Sequence, residues 1–317
     1  MALPKIAATA LVTGLFASCA SPGLRSASSQ LAPWTSELRD QQPEDAFAAA
    51  YRVGKRHLVF VAALHENRTD SATFKMIGDA YARFDIDVVL AEGFPTSRGP
   101  NPRRLMEYAL EEARDGFQEG GETVPVVAGA VRAGATVWGG EPDDVDVKAR
   151  VIAQGFSTED VLGYYVLRVV PQWIRERKIE HAGDPRLRPL VEEELGRQRR
   201  FLRLDSVALP GFEQWASWYQ KLNGKPLDAT FTTEEAGPLQ NGPFATNKVA
   251  AAVSRARDTF LHELIIQHLK SGNSVLVVFG GSHLMIQRPA LDAALGAPCH
   301  VAQTLTDAAE RCRSEGS

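Results

Sequence analysis

Cysteine is scarce in this chain: its 317 residues include only three. Small disulfide-held scaffolds need far more cysteine per residue, so that class is excluded. A chain of this length buries enough apolar surface to fold without such crosslinks. Cys299 and Cys312 lie close together near the C-terminus. In an oxidising compartment they are either a disulfide pair or two free thiols, and the sequence leaves both open.

The chain also lacks an excess of positive charge. It has 35 lysine and arginine residues against 39 aspartate and glutamate residues, which gives a formal net charge of −4. No basic block interleaved with aromatic residues is present. Because nucleic-acid-binding domains carry basic patches, we expect no nucleic acid partner.

Long hydrophobic runs are missing as well. The apolar run at 6–18, which follows Lys5, is shorter than the roughly 20 residues that a membrane-spanning helix needs. A short apolar run after a positive charge at the N-terminus is typical of a signal peptide. The sequence therefore predicts export.

The end of this run resembles the lipobox of bacterial lipoproteins. It has Phe16, Ala17 and Ser18 before Cys19, the residue that such proteins lipidate. The alternative is an ordinary secretory signal cleaved near Ala20. No aspartate follows Cys19, so the resemblance implies an outer-membrane lipoprotein that faces the periplasm and contacts the membrane through its lipid. Residues 1–30 are then a signal peptide and a tether rich in serine, glycine and proline.

The remaining residues, 31–317, predict a single α/β domain. Alternating strands and helices predict a mainly parallel central sheet flanked by helices, with a helical insertion at about 143–247 before the last α/β segment. The stretch 34–53 predicts a helix, and 103–114 another. Predicted strands lie at 57–64, 87–91, 135–138, 274–279 and 299–305, and the later helices at 143–153, 157–180, 186–203, 211–222, 248–270 and 285–295.

Four of the predicted strands are followed by a histidine or a glutamate. These residues are His65, Glu92, Glu141 and His283. Ligands of open α/β sheets bind just beyond the carboxyl ends of the strands. Two imidazoles and two carboxylates at one sheet edge therefore predict an active site or a metal site.

Each of the four also has a structural interpretation. His65 could be a capping residue, and Glu92 could form an ion pair with Arg68 or Arg98. Glu141 could stabilise the positive end of the following helix instead of acting as an acid or base. His283 follows two glycines, which would let the backbone turn sharply off its strand.

A late helix adds three polar candidates. Arg257 could bind a substrate carboxylate, orient Glu92 or simply lie on a solvated helix face. Asp258 and His262 are four residues apart, so they share a helix face. Such a pair can bind a metal, but surface helices also carry it routinely.

Taken together, the pattern resembles a known superfamily. A strand followed by histidine, a strand followed by Glu92-Gly93, Arg257-Asp258 on a late helix and Gly280-Gly281-Ser282-His283 are similar to TraB/PrgY, GumN, Tiki, ChaN and erythromycin esterase proteins. Residues 55–150 and 248–290 carry the resemblance. The sequence departs from it at Ala62-Ala-Leu-His65, which lacks the glycine of the first Gly-x-x-His motif.

The resemblance implies an enzyme that hydrolyses a peptide or ester bond of a small-molecule or peptide substrate. In the TraB and Tiki branch His65, Glu92 and His283 would bind a divalent metal, with Arg257 in support. Glu141 could then be the acid or base of the reaction. In the erythromycin esterase branch similar residues activate water without a firmly required metal. Two alternatives remain: a ChaN-like lipoprotein that binds haem or a metal without turnover, and an interaction protein on a decayed enzyme scaffold.

Overall fold

A computed structural model describes residues 24–205 and 207–314. Residues 1–23, including Cys19, lie outside the described residues, so the predicted lipidation is not addressed by the fold. Within the described part, no helix is both long enough and apolar enough to cross a membrane.

The fold is α/β, with one six-stranded sheet flanked by helices, as the sequence predicts. Three of its five strand pairings are parallel and two are antiparallel. The spatial order is β4-β3-β5-β2-β1-β6. The strands are β1 (Phe47–Val53), β2 (Arg56–Ala63), β3 (Val88–Pro95), β4 (Thr136–Glu141), β5 (Val275–Gly280) and β6 (His300–Ala302).

Helices cover both faces of this sheet and form the insertion. They are α1 (Ser36–Asp40), α2 (Ala72–Arg83), α3 (Arg103–Met106), α4 (Thr123–Ala133), α5 (Asp144–Ile152), α6 (Thr158–Leu167), α7 (Val170–Arg175), α8 (Leu187–Leu202), α9 (Phe212–Asn223), α10 (Ala245–Lys270), α11 (Gly281–Leu295) and α12 (Ala308–Ser314). The described residues also form four 3₁₀ turns: Ser28–Gln30, Thr96–Arg98, Glu107–Leu110 and Thr233–Ala236.

The central strand β5 shows why continuous apolar runs become interior strands. All of its residues are buried, and successive side chains alternate between two cores. Leu276 and Val278 pack with α2 and α4 on one face, while Val277 and Phe279 pack with α10 and α11 on the other. Because both faces are covered, no polar alternation is needed.

The helical insertion has a core of its own. Helices α5 to α9 bury Trp215, Tyr165 and Tyr219 against the N-terminal half of α10. The C-terminal half of α10 packs on the sheet. This one helix therefore connects the insertion to the strands.

The predicted helix over 34–53 is wrong. Only α1 is helical there, and residues 47–53 form β1, which pairs antiparallel with β2 and with β6. The alanine-rich segment has high helix propensity, but pairing on both sides and burial override it. A turn at Gly54, whose φ is +61°, joins β1 to β2.

Three other predicted elements need correction. The helix predicted over 103–114 ends early, as α3 and a 3₁₀ turn. The helix predicted over 157–180 is two helices, and Pro171 lies in the first turn of the second. The strand predicted over 299–305 is limited to β6.

The two C-terminal cysteines form a disulfide. Cys299 and Cys312 are bonded, with their Cα atoms 5.0 Å apart. The bond holds α12 against β1 and β6, and both sulfur-bearing side chains are buried. Of the two possibilities that the sequence left open, the structure therefore has the crosslinked one.

Candidate functional site

Four adjacent parallel strands bring the four predicted side chains to one edge of the sheet. Glu141 is the last residue of β4, and Glu92 lies near the carboxyl end of β3. His283 is in the first turn of α11, directly after β5, and His65 follows β2 by two residues. Along the edge the order is Glu141, Glu92, His283, His65, because the order of the strands is β4-β3-β5-β2.

An irregular segment of β3 places Glu92. The register of β3 against β4 shifts between Ala91 and Pro95. Across from this bulge, a Cβ atom at Gly139 would overlap the carbonyl group of Phe94. Only glycine permits so close an approach of the two backbones.

Arg257 joins the two carboxylates of the site. Its Nε donates to Oε2 of Glu141 at 2.8 Å, and its Nη2 donates to Oε1 of Glu141 and, at 3.2 Å, to Oε1 of Glu92. Burial opposes the charge of Arg257, but the two carboxylates outweigh it and raise the pKa of the guanidinium. Of the three roles considered for Arg257, orientation of Glu92 is the one that its contacts match.

These contacts bear on the structural interpretations of Glu92, as an ion-pair partner of Arg68 or Arg98, and of Glu141, as a residue that stabilises the start of α5. Arg68 pairs with Asp70 at 3.0 Å, and the ion-pair partner of Glu92 is Arg257. Glu141 binds Arg257 through both oxygens, whereas α5 begins three residues later, after Asp143.

The carboxylate of Glu92 is held ionised. Burial opposes its ionisation, but His283, Arg257 and the backbone N–H of Gly280, which donates to Oε2 at 2.7 Å, outweigh that effect. They lower the pKa of Glu92 well below its usual range. A fixed anion therefore lies beside the first turn of α11.

His283 is buried between two carboxylates. Its Nδ1 donates to Oδ1 of Asp258 at 2.8 Å, and its Nε2 lies 3.5 Å from Oε1 of Glu92. Burial alone favours the neutral ring, but Asp258 and Glu92 raise the pKa of His283 to about 10. His283 is therefore an imidazolium at neutral pH.

His65 has a similar arrangement in a much more exposed place. Its Nδ1 lies 2.7 Å from Oε1 of Glu122, while 65% of its side chain is exposed. The hydrogen bond to Glu122 raises the pKa of His65, with burial opposing and the charge of Glu92 adding to it. Each of the two histidines thus has a carboxylate at Nδ1, which fixes the ring orientation.

Gly280 makes room for His65. A Cβ atom at Gly280 would lie 3.1 Å from Nε2 of His65 and 3.6 Å from Oε2 of Glu92. The φ angle of Gly280 is −54°, which any residue can adopt. The glycine is therefore needed for space, and not for the sharp turn that the sequence predicted.

The predicted metal ligands do not present an open ligand set as they are arranged. Both oxygens of Glu92 accept hydrogen bonds, and the protonated ring of His283 would have to lose a proton before it could bind a metal. In the stretches 24–205 and 207–314, no group of three or more histidine, cysteine, aspartate or glutamate side chains has metal-site spacing. The divalent metal and the haem both stay predictions.

Two acidic partners of the histidines were missed or misassigned from the sequence. Glu122 precedes α4 in a glycine-rich turn, and no pattern there indicates that it reaches His65. Asp258 does not pair with His262, although the two share a helix: it binds His283, and His262 binds Gln287. Such pairings depend on packing between α10 and α11.

Comparisons with protein-family models, with curated proteins and with solved structures found no match for this chain. The resemblance to the TraB, ChaN and erythromycin esterase proteins therefore stays a prediction from short motifs.

Proposed function

We propose that this protein hydrolyses an ester or amide bond, and that His65 accepts a proton from the attacking water. The observation that carries the proposal is the pair of histidines beside Glu92, each with its own carboxylate at Nδ1. This pairing fixes the ring and tautomer of an acid–base histidine. A packed core has no comparable need for two such pairs at one sheet edge.

The two histidines have different environments and so different roles. His65 is exposed to solvent, and its hydrogen bond to Glu122 raises its pKa, which strengthens it as a base. His283 is protonated at neutral pH, so it serves as the positive charge and proton donor. Water loses a proton to His65 as its oxygen bonds the carbonyl carbon, and the leaving oxygen or nitrogen takes a proton from His283 as its bond to carbon breaks.

Glu92, Glu141 and Arg257 hold the centre of the site. Arg257 is occupied by both carboxylates, so in this proposal it orients Glu92, and Glu92 in turn faces His283. The acidic side chains leave little free positive charge at the site. The arrangement favours neutral or cationic substrates over strongly anionic ones.

The first test is hydrolysis of short-chain p-nitrophenyl esters and of a fluorogenic peptide mixture. We expect turnover by the native chain and at least a hundredfold loss in His65→Gln and in His283→Gln. The exposed His181, on the loop between α7 and α8, provides the control His181→Gln, which should keep full activity. Equal activity in all four proteins would contradict the assigned site.

The metal is tested by elemental analysis after dialysis against zinc, manganese and cobalt salts. Near-stoichiometric metal that is lost in both His65→Gln and His283→Gln would establish the metal-dependent form of the proposal. Metal-free protein with full activity would establish the form in which His65 acts directly as a base.

A second candidate function is haem binding without turnover. Among the described residues, Nε2 of exposed His65 has no hydrogen-bond partner, which is what an axial ligand needs. A visible-absorbance scan after addition of hemin separates the two functions. A shifted Soret band that is absent in His65→Gln, together with no hydrolysis, would favour the haem-binding lipoprotein.

We also propose export to the cell envelope with a lipid on Cys19. The disulfide between Cys299 and Cys312 supports an oxidising compartment, because cytosolic thiols are kept reduced. Metabolic labelling with palmitate should mark the native chain and not Cys19→Ser. Release of unlabelled protein to the soluble fraction in both cases would instead indicate ordinary secretion.

A further inference from the structure

Behind His283, a chain of buried hydrogen bonds reaches the N-terminal segment. Residues 24–31 of this segment, which includes a 3₁₀ turn, lie on α10 and α11. The guanidinium of Arg255 donates to the carbonyl oxygens of Leu31 and Ser28. Residues 24–30, which the sequence predicts to be part of a tether, are therefore bound to the two helices that carry Asp258 and His283.

The first donor in this row of hydrogen bonds fixes the direction of all the bonds that follow. The backbone N–H of Ala27 donates to Nε2 of His262 at 3.2 Å, so the proton of the neutral ring is on Nδ1. That Nδ1 lies 3.2 Å from Oε1 of Gln287, which therefore accepts. The Nε2 of Gln287 then donates to Asp258, at 2.7 Å to the carbonyl oxygen and at 3.4 Å to Oδ1.

This row of hydrogen bonds ends at the proposed reaction centre. Oδ1 of Asp258, which accepts from Gln287, also accepts from Nδ1 of His283. The side chains of Asp258, His262 and Gln287 are fully buried. Burial also lowers the pKa of His262, which keeps its ring neutral and its Nε2 able to accept.

We infer that Gln287 and His262 are positioning residues for His283, and that the docked N-terminal segment completes their hydrogen-bond chain. Gln287 has one conformation that satisfies both its neighbours, because His262 requires an oxygen and Asp258 requires an N–H. Asp258 is thereby held at the correct angle to fix the ring of His283. The N-terminal segment, which follows the predicted lipid anchor, is thus coupled to the acid of the proposed reaction.

This inference rests on the proposed function, since His283 is the proton donor of that reaction. Its test therefore has a readout that does not need a substrate. The Nδ1–H proton of an imidazolium bonded to a carboxylate gives a downfield NMR signal that disappears when it exchanges with solvent. The signal is assigned in the full-length chain by its absence in His283→Gln.

The deciding variant is Gln287→Met, which keeps the volume and removes both polar atoms. We expect the His283 signal to broaden or vanish, and hydrolysis to fall about tenfold in kcat with KM unchanged, because a slightly misplaced catalytic group costs rate and not binding. The matched control is Gln198→Met. Gln198 is also a buried glutamine on a helix, and its Nε2 donates to Glu194 in the separate core of the insertion.

A second variant tests the contribution of the N-terminal segment. Arg255→Lys disrupts the paired contacts to the carbonyls of Ser28 and Leu31 and keeps the positive charge that acts on Asp258. We expect the signal to exchange faster, to a smaller degree than in Gln287→Met. Partial return of the sharp signal in Gln287→Asn, which keeps both polar atoms on a shorter side chain, relative to Gln287→Met would add support by rescue.

An unchanged His283 signal in Gln287→Met would overturn the inference. An equal loss of the His283 signal in Gln198→Met would also overturn it, because such a loss would indicate general loosening of the fold. A changed signal with no hydrolysis by any protein, the native one included, would contradict the proposed function and leave the positioning of His283 established. The two failures are therefore distinguishable.

Discussion

Asp258 and His283 form a buried pair across the interface between α10 and α11. Nδ1 of His283 donates to Oδ1 of Asp258 at 2.8 Å, and the side chain of Asp258 is fully buried. Ser254 also donates to the second oxygen of Asp258, at 3.2 Å. The carboxylate is thus fixed at both oxygens, so it can set both the orientation and the charge of His283.

Replacement of Asp258 should therefore remove its effect on the orientation and the charge of His283. We expect Asp258→Asn to lower the pKa of His283 from about 10, because the nearest opposite charge is gone. Hydrolysis near neutral pH should fall about a hundredfold or more. An NMR titration of the labelled histidines measures the pKa directly. Asp292→Asn, whose aspartate lies towards the C-terminal end of α11 and accepts from Tyr51, is the control and should leave His283 unchanged.

The pH dependence of the folding stability should also reflect the ion pair between Asp258 and His283. A raised folded-state pKa means that the folded protein holds the proton of His283 more tightly than the unfolded chain does. Its contribution is therefore fully present below about pH 6.5 and is lost as pH rises through about 10. Glu92, with its lowered pKa, contributes above about pH 4.5 and loses that contribution as pH falls.

The measurement is thermal unfolding of the native chain and of His283→Gln between pH 5 and pH 10. The difference in melting temperature should be largest at about pH 5 to 6.5 and should shrink towards pH 10. A difference that grows with pH would mean that His283 is neutral in the folded protein.

Loss of Arg257 should destabilise the fold more than loss of a surface arginine. Arg257→Met leaves the partly buried Glu92 and Glu141 without their shared cation. Breaking a fully buried pair costs about 3–5 kcal/mol, so we expect a loss near or below the lower end of that range. Arg257→Lys keeps the charge but not the two-pronged geometry, so it should recover only part of that loss. Urea denaturation gives the free energies of unfolding.

The double variant Arg257→Met with Glu141→Gln checks the cause. If the unpaired carboxylates are responsible, it should be more stable than Arg257→Met alone. The control Arg103→Met removes an exposed arginine that pairs with Glu107 and should change stability by less than about 1 kcal/mol.

Two adjacent glycines should differ sharply in their tolerance of a side chain. In Gly280→Ala the new Cβ would lie 3.1 Å from Nε2 of His65, so we expect His65 to be displaced and hydrolysis to fall about tenfold or more. In Gly281→Ala the Cβ would meet the flexible end of Gln42, which can move aside. Kinetics and thermal unfolding of both variants test this. Equal loss in the two would argue against a specific effect at His65.

Much of the sheet could be predicted from the sequence. The runs that became β2, β3, β4 and β5 are apolar enough to be buried on both faces, and each ends at a polar residue. Parallel strands share one edge for their carboxyl ends, so the gathering of His65, Glu92, Glu141 and His283 follows from strand order and residue type alone.

The strand β1 shows where local pattern fails. Its alanines favour a helix by themselves, and only pairing with β2 and β6 makes the segment extended. The position of β5 between β2 and β3 is likewise a result of long-range pairing, and it places His283 between His65 and Glu92.

By itself, the sequence determined the α/β class, the strand ends and the residue types available there, because these depend on hydrophobic periodicity over short windows. The tertiary structure decided the partners. It paired His65 with Glu122, His283 with Asp258, and Arg257 with both Glu92 and Glu141. Such pairings join residues far apart in the chain, and their protonation follows from burial and neighbouring charge, which exist only once the helices have packed on the sheet.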